Sequence, residues 1–299
     1  MTRNSIPALR HLVLDFDGSC TQISVIADDF LELYRSNFVK VVGPLSSADW
    51  DEAKTMVRCH SPQAGWTVSG CPSAPAAADP YILADEAARY ILRRLGHGSQ
   101  SPPPSLNSDA YLKLPAPWRE DALGTFSELI EHGVKLHFIS NSSSTFIQGR
   151  IRQLFGADHP ALDSISVESD AGKCRICELP WDDCGPLSQE TIDRFLALPA
   201  VHAELPLKEL NRPVYLRRGA YFEAICRVFH GDLSSLAATV FCGDIWEMDL
   251  AMPYALGANV HLLDRTAPFD TYRYEREAIA ACGGRARVSA KLSDLLAWL

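Results

Sequence analysis

The chain lacks long hydrophobic runs, has no excess of basic residues and has too few cysteines for a disulfide framework; each shortage removes a class of protein. A membrane-spanning helix needs about 20 consecutive apolar residues, and no stretch of the 299 residues approaches that. The apolar run in MTRNSIPALRHLVLDFDG is too short for a secretory leader and is interrupted by Asp15. The expectation is a cytoplasmic protein with no membrane partner. Lys and Arg number 28 against 37 Asp and Glu, a formal net charge of −9. Nonspecific nucleic-acid binding depends on clustered cations, so nucleic acid is not an expected partner. Nine cysteines in this length do not staple a fold; Cys20, Cys226 and Cys242 sit in or beside apolar segments and read as reduced, small hydrophobes. The chain has no internal repeats and no evident nucleophilic triad.

What remains, 47% hydrophobic and 22% charged, is ordinary for a well-cored α/β protein. Short apolar runs read as buried parallel strands: LVLDF ending at Asp15, VKLHFIS at Ser140, PVYLRR at Arg218, TVFCGD at Asp244 and NVHLLD at Asp264. REDALGTFSELIEHG and GAYFEAICRVFHG carry apolar residues at helical spacing and end at Gly. This alternation predicts a doubly wound parallel sheet, whose ligands lie beyond the carboxyl ends of the strands. Residues 1–24 and 115–299 supply that core. Residues 25–114 hold three helix candidates, ADDFLELYRSNF, SADWDEAKTMVRCH and DPYILADEAARYILRRLG, and are too long for a structureless loop, so they read as an inserted helical cap. A second insertion, about 168–212, holds a helix candidate at SQETIDRFLAL.

The strongest chemical signal is Asp15-Phe16-Asp17-Gly18-Ser19, where two carboxylates one residue apart leave an apolar strand at a Gly turn. A carboxylate that attacks a phosphoryl group needs a neighbour to protonate the leaving oxygen and a cation to relieve anion repulsion; Asp15 suits the first role and Asp17 the second. Gly243-Asp244-Ile245-Trp246-Glu247-Met248-Asp249 is again acid-rich where a strand should stop. Asp244 can meet Asp15 around a hard cation, and the oxygen ligand set suits Mg²⁺ rather than zinc. Asp249 can ligate directly, act through water or cap a helix. Ser140 and Asn141 follow a strand, where a hydroxyl and free N–H groups hold a phosphate oxygen or cap a helix. Arg217 and Arg218 open a helix, where a guanidinium can neutralise phosphate and Asp15; the alternative is a solvated basic pair. Cys174 and Cys177 form one CxxC pair, with Cys184, His159 and His202 as conceivable further zinc ligands, but a complete site calls for a second regularly spaced pair. The tryptophans Trp50, Trp66, Trp118 and Trp246 favour core packing over lining a pocket.

Taken together, DFDGS, LHFISN, RRGAYFEAI and GDIWEMD resemble, in order, the four motifs of the haloacid dehalogenase-like superfamily, most of whose members are phosphatases. The resemblance covers the core and not residues 25–114. It implies an aspartyl-phosphate enzyme: Asp15 as nucleophile, Asp17 as acid/base and backbone-carbonyl metal ligand, Ser140 as phosphate-binding hydroxyl, Asp244 as metal ligand and Asp249 as the second acid of the fourth motif. The substrate would be a small phosphomonoester, and the cofactor Mg²⁺. Members that displace halide lack the second aspartate, so Asp17 favours phosphoryl chemistry; transfer to an acceptor other than water uses the same motifs. Ser19 stands where Thr is usual, and the third motif offers Arg218 or Arg217 where Lys is usual, with Lys173 and Lys208 as less favoured sources of the ammonium. The competing expectation is a non-hydrolytic scaffold, against which stands the mutual repulsion of four convergent carboxylates.

Overall fold

The computed structural model describes residues 8–98, 100–115, 117–179, 187–202 and 210–299. Strand β1 (His11–Leu14) is followed by helices α1 (Ile23–Val42) and α2 (Ser47–His60), a hairpin of β2 (Gly65–Val68) and β3 (Cys71–Pro75), and helices α3 (Pro80–Arg94) and α4 (Ser105–Tyr111). The chain returns through α5 (Ala122–Glu131) to β4 (Lys135–Ile139), then α6 (Ser144–Phe155) and β5 (Ile165–Glu168). After α7 (Gln189–Leu196) and α8 (Gly219–Val228) come β6 (Thr239–Gly243), the short α9 (Ala251–Ala255), β7 (Asn259–Leu263), α10 (Arg273–Ala281) and β8 (Ala286–Ser289). Six strands form one sheet in the order β5-β4-β1-β6-β7-β8, every pair parallel. The strand order reverses about β1, which places the crevice of a doubly wound sheet at the end of the strand that delivers Asp15.

Strand periodicity builds both layers. Leu12, Leu14, Leu136, Phe138, Val240 and Cys242 pack on one face with Phe126, Leu129 and Ile147 from α5 and α6. Val13, Phe241, Val260 and Leu262 pack on the other with Phe222, Ile225 and Ile279 from α8 and α10. Residues buried on both faces give the continuous apolar runs visible in the sequence.

One expected strand is not in the sheet. The segment 213–218 is extended, with Val214, Leu216 and Arg218 buried in alternation, but it makes only isolated bridges, Val201 to Tyr215 and Cys177 to Arg218. Alternating burial satisfies side chains without a backbone ladder. The sheet is completed by β5 and β8, edge strands whose partly exposed residues lack a continuous apolar run.

Residues 25–114 contain the three expected helices and also the β2–β3 hairpin and α4. Pro72 and Pro75 obscured the hairpin, since Pro is tolerated only where a strand leaves an edge free. This segment has a core of its own: Phe30, Tyr34, Phe38, Trp50, Leu83 and Ile91 pack together, joined by Phe269 from the sheet side. Helices α2 and α3 start on side-chain caps, the Ser46 hydroxyl accepting the Asp49 N–H at 3.1 Å and Asp79 accepting the Ile82 N–H at 2.7 Å. Among the described residues no helix is long and apolar enough to cross a membrane.

Two strand histidines are structural. Trp298 donates its indole N–H to His261 Nδ1 at 2.9 Å, so that nitrogen is unprotonated and the other faces Ser289 Oγ at 2.7 Å. His137 is bonded to Ser166 and to His11. Burial lowers both histidines from the ordinary 6.5 to about 4. At these histidines the unfolded chain therefore takes up protons first as pH falls below 6.5, and their contribution to native stability drains away down to about pH 4. Each histidine should withdraw roughly 2–3 kcal/mol over that window. Because the buried carboxyls of Asp15, Asp17 and Asp79 are raised over the same window and act in the opposite sense, the histidine contribution is read as a difference. Urea unfolding should show His261→Gln gaining stability relative to wild type between about pH 7 and about pH 4.5; a difference that does not change with pH would contradict this account.

Candidate active site

Asp15 leaves β1 with its N–H bonded to Cys242 O at 2.9 Å, so β6 fixes where its carboxylate begins. The turn after it depends on Gly18, at φ +82, where an added Cβ would lie 2.5 Å from Asp244 Oδ2. Gly243 is constrained in the same way, since its Cβ would fall 2.3 Å from the Cβ of Asp249. The two acidic loops are therefore in contact. The Ser19 hydroxyl lies 3.3 Å from Asp15 Oδ2 and 3.2 Å from Asp244 Oδ1, so Ser in place of Thr keeps a hydroxyl between the carboxylates.

The cation beside Asp15 is Lys173. Its fully buried ammonium binds Asp15 Oδ1 and, at 2.6 Å, Asp249 Oδ1. The expected assignment of this role to Arg218 or Arg217 is corrected. Arg218 is buried, but its guanidinium donates to Ser73 Oγ at 2.7 Å, Ser73 O at 2.7 Å and Lys173 O at 2.6 Å. Arg217 turns to the Leu196 and Leu198 carbonyls and to Glu178. The physical reason is that the 213–218 segment runs beside the Lys173 loop rather than ending as a strand at the crevice. Lys173 follows β5, the unrecognised edge strand, and Asn141 fixes its loop by accepting the Lys173 N–H at 2.9 Å. Lys208 lies outside the described residues.

Asp17 points elsewhere. Ser142 Oγ donates to its Oδ2 at 2.7 Å, and the Tyr111 hydroxyl, on α4, lies 3.0 Å from both of its oxygens. Burial pushes the Asp17 carboxyl up to about 6 despite these bonds. Burial likewise raises Asp15, to about 7, against the opposing charge of Lys173, and raises Asp244 against that of Arg265. Ser140 is buried at the end of β4, and its Oγ accepts the Ser142 N–H at 3.1 Å.

Asp15, Asp244 and Asp249 each offer an oxygen within 4.8 Å of the others, the one such group of three metal-ligating side chains among the described residues. Asp244 Oδ2 is buried without a hydrogen-bond partner, a position that an ion satisfies. An all-oxygen donor set in this arrangement fits a hard cation of the magnesium type. Asp249 is already engaged, Oδ1 by Lys173 and Oδ2 by the Ile245 N–H at 3.0 Å. The Asp17 carboxylate is not in the group. Arg265 holds the Asp244 loop from behind, bonded to Asp244 O and paired with Glu275, which in turn accepts the Trp246 N–H at 3.0 Å.

Cys174 and Cys177 join no such group among the described residues, and Cys184 lies outside them. His159 caps a short helical turn, and His202 packs near Trp246. Trp246 is buried in the core, as are Trp50 and Trp118 in substance, whereas Trp66 lines a cavity. That cavity, about 410 Å³, opens onto Asp15, Asp17, Ser140 and Asp244 and is walled on its other side by residues of α3, α4 and the hairpin. The sequence did not mark Tyr111, Asp79 or Tyr81, because nothing local ties them to the aspartates; Ser142 was read only as part of the Ser140-Asn141-Ser142 phosphate-binding turn, and its hydroxyl instead binds Asp17.

No protein-family model matches this chain, and no curated protein matches it. Its likeness is to solved structures of haloacid dehalogenase-like hydrolases. YfnB from Bacillus subtilis, described as a HAD-hydrolase and bound to magnesium, has 12% identity and a TM-score of 0.48, covering 97% of this chain and 98% of that one. A predicted phosphoglycolate phosphatase from Haemophilus somnus has 13% identity and a TM-score of 0.49, covering 97% of each chain. The L-2-haloacid dehalogenase from Xanthobacter autotrophicus, with chloropropionic acid covalently bound, has 14% identity and a TM-score of 0.40, covering 96% of each.

The geometry makes Asp244 the carboxylate with an oxygen to spare. Asp244→Asn should weaken Mg²⁺ binding by roughly tenfold or more, read by calorimetry, while Arg217→Met should leave it unchanged; equal affinities for Asp244→Asn and wild type would remove Asp244 from the site.

Proposed function

We propose that this chain is a Mg²⁺-dependent phosphohydrolase acting on a small phosphomonoester through a phosphoaspartyl intermediate on Asp15. The observation that carries this reading is the buried Lys173 ammonium shared by Asp15 and Asp249, with the free oxygen of Asp244 alongside. Two fixed positive charges, one from Lys173 and one from a metal, would let an ionised carboxylate approach a phosphate dianion.

In this mechanism Asp15 attacks phosphorus, and the bond to the leaving oxygen breaks as Asp17 delivers its proton there. Asp17, now a carboxylate, takes a proton from water, whose oxygen attacks the phosphoaspartyl group and frees inorganic phosphate and Asp15. Tyr111 and Ser142 hold the Asp17 carboxyl in place for both proton transfers. Ser140 and the N–H groups that follow it receive phosphate oxygens. The cation, held by Asp15 and Asp244 with the Asp17 main-chain carbonyl, would supply charge neutralisation at the phosphoryl oxygens. Asp17 also favours phosphoryl transfer over halide displacement, which has no need of a proton donor there. Residues 25–114 act as the cap that selects the alcohol half, since their side chains wall the cavity.

Phosphate release from a phosphomonoester panel should require Mg²⁺ and vanish in Asp15→Asn with folding preserved. Asp17→Asn should slow turnover by roughly 10²–10⁴-fold. Unchanged turnover in Asp15→Asn would rule out this nucleophile, and release independent of metal would rule out the cation's part.

A further inference from the structure

The cavity is unevenly charged. Among its described lining residues are the carboxylates of Asp15, Asp17, Asp79, Asp170 and Asp244, and no lysine or arginine. Lys173 reaches the site from below, at the end where Asp15 would meet phosphate. A second anion on the substrate would therefore sit among carboxylates, because the cation that acts on Asp79 and Asp244, Arg265, lies outside the lining and is paired with Glu275, and that anion would bear an energetic penalty.

The cap side presents aromatic faces and several polar groups, among them Asp79, the Tyr81 hydroxyl, and Asn107 and Ser108 of α4. Tyr81 and Tyr111 pack edge to face with centroids 5.5 Å apart, and the indole N–H of Trp66 donates to Asp85 at 2.8 Å, which fixes that ring. The hydroxyl of Tyr81 is buried with no hydrogen-bond partner, an unmet demand in a cavity wall. Asp79 is buried too; it receives the Ile82 N–H, and burial lifts its carboxyl to about 6. Ile82, Ile245 and Met248 form the apolar floor between the two sides.

We infer that the alcohol half of the substrate carries an amine: the ligand is a phosphorylated amino alcohol whose ammonium is received by Asp79, the Tyr81 hydroxyl and the faces of Trp66 and Tyr81. A buried carboxylate beside electron-rich rings is the environment that favours a cation over its neutral or anionic counterpart. The inference rests on the proposed function for where the phosphoryl group sits, but the recognition of the amine is tested separately by binding.

The test compares three non-hydrolysable ligands of matched length, aminopropylphosphonate, butylphosphonate and phosphonobutyrate, by calorimetry on the Mg²⁺-loaded protein. The amine should bind roughly tenfold more tightly than the alkyl ligand, and the carboxylate more weakly than either. Asp79→Asn should remove most of the amine preference, and because Asn caps helices as well as Asp does, its melting temperature should stay near that of wild type. Tyr81→Phe should reduce the preference in part. The inference is overturned if phosphonobutyrate binds as tightly as the amine, or if Asp79→Asn leaves the ranking unchanged. An amine preference without phosphate release from any ester keeps the inference and discards the phosphohydrolase, whereas failure of all three ligands to bind discards both.

Discussion

The structure turns on a crowding of negative charge. Four aspartates converge at the ends of two neighbouring strands, and buried carboxylates without compensation would protonate or drive the loops apart. One ammonium, that of Lys173, meets this constraint for two of them by lying between Asp15 and Asp249. Behind the same loops, Arg265 and Glu275 form a second buried pair that secures Asp244 through its carbonyl and Trp246 through its N–H. Asp244 Oδ2 is left over without a hydrogen-bond partner, an oxygen whose chemistry suits a hard cation. Glycines at two positions allow the carboxylates this approach, since any side chain at Gly18 or Gly243 would enter the space an aspartate occupies.

Much of this arrangement was legible because it is written in short, local patterns. The runs ending near Asp15, Ser140, Asp244 and Asp264 correspond to β1, β4, β6 and β7, since a strand buried on both faces needs an unbroken apolar sequence. The aspartates stood out because they follow those runs directly. The cation did not, for a physical reason: Lys173 is positioned by β5, an edge strand with partly exposed residues, and by a hydrogen bond from its backbone to Asn141, 32 residues earlier. Arg218 attracted the role because it ends an apolar alternation and opens a helix. That alternation records side-chain burial rather than sheet pairing, and the guanidinium turns the other way.

The contribution of residues 25–114 was the least visible. Their helices follow from amphipathic spacing, but the contact of Tyr111 with Asp17 joins residues 94 apart in sequence. Asp79 reads locally as a helix cap and Tyr81 as one of many aromatic residues. Their meaning appears only when α3 and α4 are laid across the crevice, where the Tyr81 hydroxyl, without a hydrogen-bond partner, and the Asp79 carboxylate line the same space. The two sides then differ, the one combining the aspartates with the buried Lys173 ammonium and the other presenting Asp79 and aromatic surface.

Arg218, though it does not touch Asp15, ties the β2–β3 hairpin to the centre. Its guanidinium holds Ser73 of the hairpin with one hand and the carbonyl of Lys173 with the other, so the hairpin and the lysine loop share a single buried anchor. Grafting a foreign segment over residues 25–114 would take Ser73 away and strand that guanidinium in the protein interior. Engineers wishing to alter the cavity wall have a freer hand with the start of α3 and with α4 short of Tyr111, which holds Asp17, because neither disturbs the anchor.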